Sequence, residues 1–137
     1  MNKRRGVNHP PRVVKDAVIQ RDGGFCILAL NRCQGEATTT DHRANRGAGG
    51  SRLLNHPANL IAACAICNGD KADAGAIVLH DLEERGLYIR PGATHAATLQ
   101  RAIATPVMDL AGDLWLLVDA HTRVPANADL LMNGGTA

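Results

Sequence analysis

The chain has 137 residues, a net charge of +2 and only 2% aromatic residues. This length fits one compact domain with an aliphatic core, which a bound metal ion would help to stabilise. No apolar run is long enough to cross a membrane, and the basic start MNKRRGVNHPPR leads into no apolar signal segment. A cytoplasmic protein without a membrane partner is therefore expected.

Charge is distributed unevenly along the chain. Residues 1–71 carry 11 Lys and Arg against 5 Asp and Glu, whereas residues 72–137 carry 4 against 8. This asymmetry fits either a polyanionic partner for the basic half or an ordinary dipolar surface, and charge alone leaves both interpretations open.

The first half of the chain predicts one helix and two strands. A basic arm at residues 1–9 precedes a helix that opens at prolines 10–11 and ends at glycines 23–24. The threonine-rich run at 38–42 favours a β-strand, and the apolar run at 59–63 is typical of a short buried strand.

The second half predicts a longer helix followed by β structure. An apolar stripe over residues 64–85 predicts that helix, with Gly86 as its stop. The remaining predicted elements are a strand at 87–89, either helix or coil at 93–104, a hairpin that joins 106–110 to 114–119, and a frayed tail from about 125.

The four cysteines have the pattern of a metal site. The spacing Cys64-x-x-Cys67 lets two thiolates from one turn reach the same ion, and Cys26 and Cys33 would complete a tetrahedral set. The alternatives are a redox pair, two disulfides or four buried thiols, and disulfides would need an oxidising compartment. The sequence favours a structural Zn²⁺ ion.

Four blocks of sequence resemble the HNH endonuclease family, most closely its small bacteriophage members. In chain order the blocks are RDGGFC at 21–26, DHRANRGAGG at 41–50, HPANLI at 56–61 and CAICNGDK at 64–71. The resemblance covers about residues 12–86. It implies an α+β fold with a ββα-metal (HNH or His-Me finger) core, flanking helices and a C-terminal β segment.

The predicted elements and the resemblance together divide the chain into three parts. Residues 1–24 would be the basic arm and N-terminal helix, and residues 25–90 the nuclease core with its zinc site. Residues 91–137 would be a C-terminal extension, with a β-hairpin, in the same compact unit.

The resemblance implies specific roles for four polar residues. His42 would be the general base that takes a proton from water, since its pKa lies near working pH, and Asn59 would orient the loop that carries it. Asp41 and Asn68 would hold the catalytic cation. Because Asn68 replaces the histidine of the strict pattern with a harder oxygen ligand, Mg²⁺ or Mn²⁺ is expected there rather than Zn²⁺.

A set of cations surrounds this motif. We expect these cations to bind DNA phosphates, and the alternative is that they are only solvated surface charges. Its members are Arg43, Arg46, Arg52 and Lys71. Gly47, Gly49 and Gly50 would let the backbone approach a phosphate chain closely. The resemblance implies double-stranded DNA as the substrate and the cytoplasm of a bacterial host as the location. The role would be genome packaging with phage terminase subunits as partners, homing or restriction.

Two other classes of function remain open. A non-catalytic, zinc-dependent nucleic-acid-binding module would bind DNA without turnover and would be indifferent to His42→Ala. A thiol redox protein would show cysteine-dependent activity and bind no zinc. The combination of Asp41, His42, Asn59 and Asn68 favours the metal-dependent endonuclease over both.

Overall fold

The structure of the protein is a computed structural model that describes residues 9–47 and 51–126. Within these ranges the fold is α+β, with four α-helices and five short strands. The elements in chain order are α1 (Arg12–Arg21), β1 (Thr39–His42), β2 (Leu60–Ala63), α2 (Ala65–Ala72), α3 (Ala76–Glu84), α4 (His95–Ala104), β3 (Val107–Met108), β4 (Leu114–Leu117) and β5 (Arg123–Pro125).

The strands form two separate antiparallel sheets. Strands β1 and β2 pair from Thr39 opposite Ala63 to His42 opposite Leu60, and α2 follows β2 after a single residue, Cys64. Strands β3, β4 and β5 form the second sheet in chain order. Two 3-10 turns, Leu53–Asn55 and Pro57–Asn59, lead into β2.

The main apolar cluster lies between the two sheets, α3 and the segment that follows α1. Three of the four cysteines belong to it, so the predicted metal site is embedded in the core. Its buried members are Cys26, Ile27, Leu28, Ala58, Ile61, Ala63, Cys64, Cys67, Leu82, Leu87, Val107 and Leu117. Among the described residues, no helix combines the length and apolar character needed to cross a membrane.

Helix α1 is attached to β2 by its last residue and the residue after it. Arg21 and Asp22 are both buried and form an ion pair of 2.8 Å. Arg21 also donates to the Leu60 carbonyl, and Asp22 accepts from the Ala62 amide. The predicted N-terminal helix is confirmed. The helix ends at Arg21 because the chain turns at Gly23, which has a left-handed φ of +94°.

The predicted helix over residues 64–85 is two helices. It breaks at 73–75, where Asp73 ends α2 and Gly75 becomes the N-cap of α3. The predicted stop is confirmed, since α3 ends just before Gly86, whose φ is +75°. Only glycine fits here, because a Cβ would lie 1.8 Å from the Pro106 carbonyl oxygen.

The C-terminal part differs from the sequence prediction in two places, at 87–89 and at β5, and it resolves the undecided segment as a helix. Residues 87–89 form no strand, although the Ile89 amide donates to the Arg43 carbonyl. The undecided segment at 93–104 contains α4, which Thr94 caps by accepting from the Ala97 amide. The predicted hairpin is present as β3 and β4, and β5 adds a strand that was not predicted.

The Arg43 side chain connects distant parts of the chain. It is fully buried and donates to the carbonyls of Gly86, Ala58, Ala102 and Thr105, at 2.7–2.8 Å. Desolvation lowers the Arg43 pKa to about 9, which still leaves the guanidinium charged at neutral pH. The expectation that Arg43 contacts DNA is therefore replaced by a structural role.

Parts of the prediction lie outside the described residues. These are most of the basic arm (residues 1–8), the loop positions Ala48 to Gly50, and the tail from residue 127.

Replacing Arg43 should destabilise the fold strongly. In Arg43→Met, four buried carbonyls lose a charged donor, which should cost about 3–5 kcal/mol. Urea unfolding of the zinc-loaded protein, followed by circular dichroism, measures this loss. Arg90→Met is the matched control, because Arg90 is an exposed arginine paired with Glu83 and should change little. Equal stability of the two variants would contradict the structural role of Arg43.

Candidate metal centre and adjoining cleft

The four cysteine sulfurs form one compact cluster. The sulfur atoms of Cys26, Cys33, Cys64 and Cys67 all lie within 4.8 Å of one another, and the cysteines are free thiols. Cys33 is half-buried, and the other three are buried. Four sulfur donors at these separations fit the tetrahedral coordination that zinc prefers.

A closed loop brings Cys26 and Cys33 together despite their wide spacing. A β-bridge between Phe25 and Glu36 closes the loop, and the Cys26 amide donates to the Gly35 carbonyl at 2.7 Å. Inside the loop, Ala29 has a φ of +49°, a left-handed conformation that reverses the chain. The spacing of six residues between these cysteines is therefore compatible with a shared ion.

The other cysteine pair lies at the start of α2. Cys64 is the N-cap residue, and its sulfur accepts from the Cys67 amide at 3.3 Å and from the Gln34 amide at 3.4 Å. Desolvation raises the Cys64 pKa, but these hydrogen bonds outweigh it and lower the pKa to about 7. Burial raises the pKa of Cys26 and Cys67, and a bound cation would favour their thiolate forms.

A cleft of about 410 Å³ adjoins α2. It brings three of the predicted catalytic residues together, since Asp41 and His42 from β1 meet Asn68 from α2. The full set of lining residues is Asp41, His42, Arg43, Asn45, Arg46, Asn68, Lys71, Ala72, Leu79, Tyr88 and Pro91.

Asp41 is buried and paired with Lys71. The ammonium nitrogen lies 2.5 Å from Asp41 Oδ2 and also donates to the carbonyls of His42, Arg43 and Leu87. Desolvation raises the Asp41 pKa and lowers the Lys71 pKa, while their mutual attraction opposes both shifts. Lys71 is thus an internal cation that joins α2 to β1, and the expectation that it contacts DNA is corrected.

The chemistry of the cleft fits a divalent cation. Asp41 and Asn68 offer a carboxylate and an amide oxygen, which are hard ligands of the kind that Mg²⁺ prefers. Among the described residues, neither Asp41 Oδ1 nor the Asn68 side chain has a hydrogen-bond partner. These oxygens remain available for coordination beside the occupied Oδ2.

The His42 imidazole is half-buried and neutral at neutral pH. Burial lowers its pKa to about 4, with electrostatic contributions from Arg46 and Lys71 in the same direction, so the pKa lies well below the near-neutral value expected from the sequence. The hydrogen bond with Asn55 raises the His42 pKa and so opposes these effects. In this contact Nε2 lies 2.8 Å from Asn55 Oδ1. No sequence pattern singled out Asn55, which lies 13 residues after His42, at the end of the first 3-10 turn.

Asn59 is fully buried and holds the segment after His42. Its Oδ1 accepts from the Ala44 amide at 2.8 Å, and its Nδ2 donates to the carbonyls of Ala44 and Leu54. The side chain therefore ties the segment that carries His42 to the first 3-10 turn. Asn59 does not line the cleft, in contrast to Asp41 and Asn68.

Of the two remaining predicted DNA contacts, Arg46 lies in the cleft and Arg52 lies outside it. Arg46 lines the cleft and is half-buried, and Arg52 is exposed at the start of the first 3-10 turn. Gly47, which follows the cleft residue Arg46, has a left-handed φ of +83°. Outside this predicted set, His56 Nδ1 accepts from the Ala58 amide within the second 3-10 turn.

No protein-family model, no curated protein and no solved structure matches the chain.

The purified chain should bind a single zinc ion through its cysteines. Cys67→Ser should lose zinc and unfold at a lower temperature, because metal binding to such a site contributes directly to folding. Metal content by mass spectrometry and thermal unfolding measure both effects. Asn31→Ser, an exposed change on the same loop as Cys33, should keep the wild-type zinc content. A zinc content that Cys67→Ser leaves unchanged would contradict the site.

The His42 imidazole should titrate with a midpoint of about 4 in zinc-loaded, magnesium-free protein, as measured by NMR. This folded-state pKa lies below the ordinary value of 6.5, so protonation favours the unfolded chain. The stability that neutral His42 contributes is present above pH 6.5 and is lost as the pH falls towards 4. His42→Gln identifies the resonance by its disappearance, and a folded-state midpoint near 6.5 would contradict the buried environment.

Proposed function

We propose that the protein is a metal-dependent DNA endonuclease of the HNH type, with a ββα-metal core made of β1, β2 and α2. The observation that carries the proposal is the convergence of Asp41, His42 and Asn68 on one cleft from two adjacent elements. The helix that supplies Asn68 also supplies two of the clustered cysteines, Cys64 and Cys67. A structural zinc ion would therefore anchor the catalytic helix.

His42 is the general base of the proposed reaction. Its imidazole is neutral at neutral pH and lines the cleft, so it can accept a proton from water. The water oxygen forms a bond to phosphorus as the bond to the 3′ oxygen breaks. The proton of the water goes to His42, and the departing 3′ oxygen takes a proton from solvent.

Asp41 and Asn68 hold the cation in this proposal. A bound Mg²⁺ or Mn²⁺ supplies stabilisation of the negative charge that develops on the phosphoryl and 3′ oxygens. Lys71 would keep the Asp41 carboxylate in position through Oδ2, since its ammonium also stays engaged with three carbonyls.

The charge of the cleft favours a phosphodiester substrate. Asp41 is the only carboxylate among the described lining residues and is paired with Lys71, whereas Arg43 and Arg46 add two further positive charges. A concave site with excess positive charge attracts a polyanion, and the exposed Arg52 adds to that attraction. Nothing in this arrangement reads base edges, so weak sequence preference is expected.

The wider biological setting stays a prediction. A phage origin, terminase subunits as partners and a role in DNA packaging rest on the resemblance in sequence. The alternative function, a non-catalytic zinc-dependent nucleic-acid-binding module, would use the same cations and leave His42 without a role.

Supercoiled plasmid cleavage tests the endonuclease directly. The zinc-loaded protein should nick or linearise the plasmid with Mg²⁺ or Mn²⁺, and a chelator added after zinc loading should stop the reaction. His42→Ala should reduce the rate at least about 100-fold through loss of the general base. Asn68→Ala should reduce the rate while leaving the unfolding midpoint unchanged, because the side chain supports no described contact.

The matched control is His121→Ala, which removes an exposed histidine in the turn between β4 and β5 and should leave cleavage unchanged. Cleavage that persists in His42→Ala would rule out the assigned base. DNA binding without cleavage under every metal, by folded and zinc-loaded protein, would replace the endonuclease with the binding module.

A further inference from the structure

We propose that Asn55 is a positioning residue that holds His42 in the tautomer with its proton on Nε2, so that Nδ1 is the nitrogen that accepts the proton from water. The inference rests on the proposed nuclease function. It goes beyond that function by assigning the reacting nitrogen and the side chain that selects it.

The contact between the two side chains sets the direction of the hydrogen bond. His42 Nε2 lies 2.8 Å from Asn55 Oδ1. A carbonyl oxygen only accepts, so Nε2 has to donate, and a neutral imidazole then has its lone pair on Nδ1. An amide turned the other way would donate from Nδ2 and select the opposite tautomer. A measurement of which His42 nitrogen carries the proton therefore tests the role of Asn55 directly.

The backbone around Asn55 is held firmly enough to position a ring. Asn55 ends the first 3-10 turn, and its amide donates to the Arg52 carbonyl at 3.0 Å. The preceding residue, Leu54, is buried, and its carbonyl accepts from Asn59 Nδ2 at 2.9 Å. The Asn55 side chain therefore starts from a fixed backbone and can hold the His42 ring in one orientation.

The sequence predicted that Asn59 alone orients the loop that carries His42, whereas in the structure two asparagines, Asn59 and Asn55, contribute to this orientation. Asn59 bonds both the amide and the carbonyl of Ala44, two residues after His42, and bonds the turn that carries Asn55. It thereby sets the distance between the two segments without reaching the imidazole. Asn55 then makes the contact with the ring itself.

The contact would act on the chemical step rather than on DNA binding. Loss of Asn55 would leave the imidazole free to adopt the tautomer with Nδ1 protonated, which cannot accept a proton at that atom. The kcat of plasmid cleavage should fall about 10–100-fold, with KM for DNA unchanged. A purely structural role would instead lower the stability and leave the tautomer preference intact.

The decisive experiment is ¹⁵N NMR of the His42 side chain in the full-length, zinc-loaded protein without DNA. Wild-type protein should show the proton on Nε2, and Asn55→Ala should shift the imidazole to a mixture of tautomers. Asn55→Asp should retain the wild-type tautomer and restore part of kcat, since a carboxylate also accepts from Nε2. His56→Ala is the matched control, because it removes a hydrogen bond from the neighbouring turn without touching His42.

Three results would overturn the proposal. They are a wild-type His42 with its proton on Nδ1, an Asn55→Ala protein with the wild-type tautomer, and an Asn55→Ala protein whose kcat is unchanged. The NMR measurement needs no catalysis, so it separates this proposal from the nuclease itself. Cleavage that is indifferent to His42→Ala would instead overturn the endonuclease function, whatever the tautomer.

Discussion

The buried guanidinium of Arg43 is the interaction on which the cleft depends. It donates to carbonyls before β2, after α3 and at the end of α4, so four parts of the chain meet at one cation. The carbonyls of Ala102 and Thr105 belong to the C-terminal end of α4, where the helix dipole favours positive charge. Because His42 directly precedes Arg43, the position of the imidazole follows from this anchor. Lys71 plays a similar part by donating to Asp41 and to the carbonyls of His42 and Arg43.

Helix α2 connects the cysteine cluster to the cleft. Cys64 is its N-cap and Cys67 lies in its first turn, and Asn68 and Lys71 follow in the same helix. Eight residues form a helix too short to be stable alone, so its geometry has to come from its ends and its packing. A zinc ion on the cysteines would fix one end, and the Lys71 contacts with β1 fix the other. Metal binding and catalytic geometry would then be coupled through a single short helix.

Sequence patterns predicted the elements and contacts that local chemistry determines. Helix α1, the strand pair and the cysteine cluster follow from capping residues, β-favouring runs and ligand spacing. The burial of Arg43 could not be predicted, because its partners lie up to 62 residues away and an isolated arginine is normally exposed. Asn55 was missed for the same reason, since its contact with His42 depends on a turn held by Asn59. The break between α2 and α3 falls at Gly75, whose helix-ending character was outweighed by the apolar stripe across it.

A crystal structure with Mn²⁺ and a short DNA duplex would test the nuclease assignment most directly. His42→Ala would be used to prevent turnover, and anomalous scattering would locate the cation independently of the zinc site. We predict a manganese ion bound by Asp41 and Asn68 oxygens and by a DNA phosphate oxygen in the cleft. DNA bound elsewhere, or a cleft in which Asp41 and Asn68 contact no cation while the cysteines hold zinc, would contradict the assignment.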